Sequence, residues 1–274
     1  MCHLRLPDGP MGRGTSPTGP RGVVSKFLGW RSRFEDPGAA LFTGLIRRVL
    51  VVSRRIEEVS HSMAIFDAVM WDFGGVFSPS PFTTIETIGR EKGHDPQRFF
   101  HAIFGPYDGD TDHPWHRLER GEIDFMAARE SIMELAKADG MAADPLELFT
   151  RMGQEGGGMR EDVVALARQI KARGFQTAIV TNNAKEFRES WTKSVPIGDI
   201  CHEIIDSSEI GIRKPDLRIF KIALKRLGVA DPGRALFVDD FAANVEAAEA
   251  LGIRGVLMED DYRAALAKIE RLTR

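Results

Sequence analysis

From residue 63 onward, short apolar runs of β-type composition alternate with stretches in which apolar positions recur every three or four residues. This alternation predicts a parallel sheet with helices on its faces. The predicted strands are Ile65–Trp71, Gln176–Val180, His202–Ile205, Ala235–Val238 and Gly255–Met258. The helices between them are Arg160–Arg173, Ala184–Lys193, Asp216–Leu227, Ala242–Leu251 and Tyr262–Leu272. In EDVVALARQIKARG, for example, Val163, Val164, Leu166, Ala167 and Ile170 share one helical face, and Gly174 stands at the stop position. The rhythm breaks between the first two strands, where residues 79–154 hold helix-like runs such as Ile123–Ala138 and Pro145–Arg151 but no convincing strand. A structureless loop of that length is unusual inside a compact domain, so the segment is expected to be an inserted helical cap. The fold class is therefore α/β, a Rossmann-like core of residues 63–78 and 155–274 carrying that cap.

Residues 1–62 differ in texture. They are rich in Gly and Pro near the start, with scattered arginines, and are expected to form a poorly ordered extension. The apolar run from Leu41 to Val52 is too short to span a bilayer and is interrupted by Arg47 and Arg48. No membrane association is expected. Across all 274 residues the formal net charge is -3, without the basic excess that a nucleic-acid binder carries. The only cysteines, Cys2 and Cys201, lie far apart without metal-ligand spacing, which suits a reducing, cytoplasmic setting and no disulfide framework.

Four places carry polar residues of chemical interest, three at strand ends and one before a helix start. The run AVMW ends in Asp72 followed by FGGVF, where Gly74 and Gly75 permit a tight turn and close approach of backbone N–H groups to an anion. The strand QTAIV leads into Thr181 and Asn182, a hydroxyl and an amide that can both bond a phosphate oxygen. GIRKPD sets Lys214 before a helix start, where it can act as a point-charge phosphate binder. ALFVDD ends in the adjacent acids Asp239 and Asp240, with Asn244 one helical turn onward. Taken singly, Asp72 also reads as a turn cap, Thr181 and Asn182 as helix N-caps, Lys214 as a solvated charge and Asp240 as an N-cap. Adjacent acids at a buried edge repel, however, and are best tolerated around a hard cation.

Together and in this order, the four motifs resemble those of the haloacid-dehalogenase-like hydrolases, over the span from Met63 to the end. The segments VTNN, RKPD and VDDFAANV are similar to the branch with a helical cap that includes the amino-terminal phosphatase domain of soluble epoxide hydrolases. The resemblance implies a phosphohydrolase in which Asp72 attacks a small phosphorylated metabolite and becomes an aspartyl phosphate. It implies Mg²⁺ held by Asp72, the Gly74 carbonyl and Asp240, with Asp239 helping directly or through water. Thr181, Asn182 and the backbone at Gly75 would hold the phosphoryl group, Lys214 would balance charge, and Asn244 would support the metal-side loop. Such chemistry needs mainly in-line positioning and charge neutralisation.

One position departs from the pattern. Most phosphatases that this chain resembles carry a second Asp two residues after the nucleophile, where Gly74 stands here. Losing a positioned general acid–base typically forfeits about 10²–10⁴ in rate. The options are a phosphatase helped by another group, one restricted to good leaving groups, or a phosphometabolite-binding protein with little turnover. A metal-independent dehalogenase fits less well, because the acid pair is retained. Substrate contacts from the cap are expected among Ser78, Ser80, Phe82, Tyr107, Asp110, His113 and His116. The two histidines are nevertheless read first as surface or helix-start residues, and Trp115, Leu118, Phe125 and Met126 as cap core.

Overall fold

The computed structural model describes residues 65–154, 158–259 and 261–274; the expected extension at residues 1–62 lies outside them. The sheet has five parallel strands: β1 (Ala68–Trp71), β2 (Gln176–Thr181), β3 (Glu203–Asp206), β4 (Ala235–Asp239) and β5 (Arg254–Leu257), in the order β3-β2-β1-β4-β5. Strand β1 is central because all four of its residues are buried, which matches a strand covered on both faces. It is shorter than expected, with Ile65 exposed and Phe66 and Asp67 outside the ladder.

Alternation along each strand divides the core into two layers. Val69, Trp71, Ile179, Leu236 and Val238 point to one face, against α6 (Glu161–Ala172) and α12 (Arg263–Leu272). Ala68, Met70, Ala178, Val180 and Phe237 point to the other, against α10 (Leu217–Leu227) and α11 (Ala242–Ala250). Between β2 and β3 lie a short 3₁₀ turn (Lys185–Phe187) and helices α7 (Arg188–Ser194) and α8 (Ile197–Ile200), and α9 (Ser207–Ile210) follows β3. The helix expected at Ala184–Lys193 is thus broken at Phe187.

Between β1 and β2 the chain forms five helices, α1 (Pro81–Glu91), α2 (Pro96–Phe104), α3 (Pro114–Glu119), α4 (Phe125–Ala138) and α5 (Pro145–Gln154). Four of them begin with proline behind a side-chain cap from Ser80, Asp95, His113 or Asp144, so a helix-compatible φ and a satisfied backbone donor coincide at each start. These helices enclose their own hydrophobic cluster, built on Ile85, Phe99, Ile103, Phe104, Leu118 and Ile132. No helix among the described residues is long and apolar enough to cross a membrane.

Candidate active site

All four motifs converge at the carboxyl edge of the sheet, the position at which open α/β sheets bind ligands. Asp72 follows β1 directly, and its backbone N–H donates to the Val238 carbonyl at 2.8 Å, which aligns it with the end of β4. The next two glycines differ. Gly75 has φ +74°, and a Cβ there would stand 1.8 Å from Asp240 Oδ2, so only glycine lets the loop lie against that carboxylate. Gly74 has no such constraint, because a Cβ there would meet only Pro81, at 3.7 Å.

Carboxylate oxygens of Asp72, Asp239 and Asp240 lie within 4.8 Å of one another. Lys214 Nζ donates to Asp72 Oδ1 and Asp239 Oδ2, each at 2.6 Å, with the lysine itself 1% exposed. One ammonium does not balance three acids. Asp72 is consequently pushed up to about 7, by burial first and by Asp239, against the lowering effect of Lys214. Asp240 is raised well above the ordinary carboxylate range by burial and by the charges of Asp239 and Asp72. Oxygen donors whose ionised forms are disfavoured by one another suit a hard divalent cation such as Mg²⁺, which relieves that repulsion.

The two adjacent acids are not equivalent. Asp239 is fully buried and its carboxylate accepts from Lys214, from the Phe241 N–H at 2.8 Å and from Asn244 Nδ2 at 3.1 and 3.2 Å. Asp240 instead reaches the cavity described below and accepts from Ser80 Oγ at 2.5 Å. Ser80, read from the sequence as a substrate contact, thus caps α1 and holds Asp240.

Thr181 ends β2 with its side chain buried at the cavity, its hydroxyl making only a long 3.4 Å contact to the Asn182 carbonyl. The Asn182 amide is committed to the backbone of Lys214, accepting from its N–H at 2.7 Å and donating to its carbonyl at 3.0 Å. Asn182 therefore fixes the loop that aims Lys214.

A cavity of about 420 Å³ opens from Asp72, Gly74, Thr181, Lys214 and Asp240 into the space between sheet and inserted helices. One wall carries a buried network that sequence reasoning missed. Glu119 accepts from Arg213 Nε at 2.7 Å, Tyr107 Oη at 2.7 Å and Trp115 Nε1 at 2.8 Å. Arg213 is fully buried and lies over the Tyr107 ring at 4.5 Å. Its neighbour Lys214 was noticed only because it matched a motif.

His113 caps α3, as expected of a helix-start residue, but His116 is fully buried, which corrects its surface reading. Its Nδ1 faces the Thr111 N–H and hydroxyl, both at 3.0 Å. Burial, with the nearby Arg213 charge, lowers His113 to about 4 and His116 to about 3, and neither lines the cavity. Asp110 pairs with Arg120 instead of facing the site.

The family model for haloacid dehalogenase-like hydrolase matches residues 66–252. Acyl-CoA dehydrogenase family member 10 of Mus musculus is 32% identical over 212 residues, 76% of this chain and 19% of that protein. Bifunctional epoxide hydrolase 2 of Rattus norvegicus is 28% identical over 58% of this chain and 30% of its own length. This chain thus spans less than a third of either relative. Sesquiterpene phosphatase astK of Aspergillus oryzae is 26% identical and covered over 94% of its length by 73% of this chain. Solved structures that share the fold include a dehalogenase with an intermediate complex, at TM-score 0.55 and 19% identity over 77% of this chain and 99% of that one. Another is the HAD family enzyme bt-2542 from Bacteroides thetaiotaomicron with magnesium and inorganic phosphate, at TM-score 0.50 and 19% identity over 73% and 98%.

Proposed function

The chain belongs to the haloacid dehalogenase-like hydrolases, and we propose that within this family it is a Mg²⁺-dependent phosphohydrolase acting on a small phosphorylated metabolite. The observation that carries this reading is a cluster of three carboxylates at the floor of a cavity, two of them, Asp72 and Asp239, bridged by one buried lysine. A dehalogenation site has no need for so many mutually repelling acids. Phosphatase relatives support the same direction.

Asp72 and Asp240, which face the cavity, would hold Mg²⁺ together with the Gly74 carbonyl, and Asp239 would contribute from behind through Lys214 and Asn244. Bound there, the metal supplies charge neutralisation that lets an anionic nucleophile approach a phosphate dianion. An Asp72 oxygen attacks phosphorus, the bond to the leaving oxygen breaks, and an aspartyl phosphate remains. Lys214 offsets charge on Asp72 throughout, while the Thr181 hydroxyl and the loop N–H groups at Gly75 orient the phosphoryl oxygens. Water then cleaves the acyl phosphate, releasing phosphate and regenerating the Asp72 carboxylate. With glycine at position 74 the leaving oxygen takes its proton from solvent, so leaving groups that depart as stable anions are favoured. The cap of residues 79–154 would shape the substrate side of the cavity.

Isothermal calorimetry with Mg²⁺ and beryllofluoride, an aspartyl-phosphate mimic, tests the assignment. Saturable binding to the wild type and its loss in Asp72→Asn are expected. Equal binding by both proteins refutes the nucleophile. Binding without turnover of any phosphate ester moves the chain to a phosphometabolite-binding role.

A further inference from the structure

The proposed chemistry occupies only the floor of the cavity, and its walls are of a different character. Trp115, Leu148, Phe149 and Met152 line it from the inserted helices, and Phe187 and Trp191 from the segment after β2. These side chains form a continuous surface: Phe149 lies 4.6 Å from Phe187 and 6.4 Å from Trp115 between ring centroids, and Trp191 packs at a tilt 4.6 Å from Phe73 beside the nucleophile. Phe149, Met152 and Phe187 are only partly buried, so apolar surface remains open on the cavity side.

Most polar groups on these walls are already committed; among the described lining residues the Ser190 hydroxyl and the Asn183 Nδ2 have no hydrogen-bond partner. The Glu119 carboxylate is taken by Arg213, Tyr107 and Trp115. Asn183 Oδ1 accepts from the Ala184 N–H at 2.9 Å, and Ser194 Oγ donates to the Trp191 carbonyl at 2.7 Å. A polyhydroxylated substrate needs several convergent partners to replace its hydration, and burying its hydroxyls without them is costly. A cavity with a charged floor and an apolar barrel favours a ligand of the same polarity.

We infer that the substrate is a phosphomonoester, or acyl phosphate, of a predominantly apolar body, a hydrocarbon chain or fused ring, whose tail lies along Phe149, Met152 and Phe187. This rests on the phosphohydrolase reading above and adds the class of group attached to phosphorus.

The test uses n-alkylphosphonates from methyl to octyl, which keep one headgroup and vary only the tail, titrated calorimetrically into the full chain with Mg²⁺. Affinity is expected to rise by up to about fourfold per methylene until the cavity is filled, the increment for burying one methylene. A hexose 6-phosphate is expected to bind no better than methylphosphonate. In Met152→Glu the octyl-to-methyl affinity ratio should fall about tenfold, because a charge at that wall must be desolvated beside the tail. Phe149→Ala, which removes contact area without adding charge, should lower the same ratio by a smaller factor and serves if the first variant misfolds. If methylphosphonate and beryllofluoride both fail to bind, the phosphohydrolase reading falls and this inference falls with it. If they bind while octyl- and methylphosphonate bind equally, or the hexose phosphate binds most tightly, the inference alone is overturned. An unchanged ratio in both folded variants would also overturn it.

Discussion

Metal-free protein should lose stability as pH rises through a window set by Asp72, and Asp72→Asn should remove that loss. The carboxyl moves from 3.8 to about 7 in the folded chain, chiefly because it is buried. A carboxyl raised on folding binds its proton more tightly in the native state. Its contribution is therefore neutral below about pH 4 and grows more unfavourable until about pH 7, above which it is constant. The difference corresponds to on the order of 4 kcal/mol. The Asn side chain imitates the neutral carboxyl, and Lys214 keeps Asp239 as a partner at 2.6 Å. The two proteins should thus melt alike at pH 4, while at pH 7 with chelator the variant should be more stable by up to about 4 kcal/mol. At 2–4 °C per kcal/mol for a chain of this size, that is roughly 8–16 °C in Tm. Parallel melts of both proteins across pH 4–8 make the measurement, since carboxylates stabilised elsewhere, such as Glu91 and Asp144, cancel in the difference. Saturating Mg²⁺ should narrow the gap at pH 7, adding about 2.7 kcal/mol to the wild type at a hundredfold excess over Kd. A wild-type-minus-variant difference that stays flat with pH would refute the reasoning.

Two further outcomes follow from the geometry. Glu119→Ala takes from the fully buried Arg213 its 2.7 Å ion-pair partner, leaving only the distant Asp110 carboxylate at 3.9 Å, and strands the Tyr107 and Trp115 donors, so a loss of about 3–5 kcal/mol is expected by urea denaturation, and one below about 1 kcal/mol would contradict the role given to this carboxylate. Gly74→Asp should fold, because its Cβ meets only Pro81 at 3.7 Å, and should raise kcat/KM for alkyl phosphates relative to aryl phosphates by as much as about 10²–10⁴; an unaltered ratio would mean that the leaving oxygen already receives its proton from a group other than solvent.

The sheet was legible because its strands are short, apolar and end in polar residues whose side chains have few purposes in common except a site. The β4 strand shows this best: four buried apolar residues and then two acids leave little choice of register. Helices α1, α2 and α3 were not placed, although Ser80-Pro81, Asp95-Pro96 and His113-Pro114 each carry the cap-then-proline signal. These helices are shorter than Phe125–Ala138, so each offers fewer turns over which a period can show. Other features had no local signature. Ser80 and Asp240 are 160 positions apart, and Glu119 and Arg213 are 94 apart, so nothing near either residue announces its partner. Sequence sets Asp239 and Asp240 apart only through the family resemblance, which gives the second to the metal and the first a helping part. Only the packing of Asn244 and Lys214 shows that the first is saturated with donors and the second is turned to the cavity.

Arg213 and Lys214 are consecutive, yet their side chains serve opposite sides of the cavity. One is anchored in Glu119 of the inserted helices, and the other bridges the acids at the sheet edge. Displacing the helices from the sheet must either withdraw a buried guanidinium from the Glu119 carboxylate or drag the lysine backbone, which the Asn182 amide holds at both its N–H and its carbonyl. A single peptide bond therefore joins the group that anchors the substrate-facing wall to the group that offsets charge on the nucleophile.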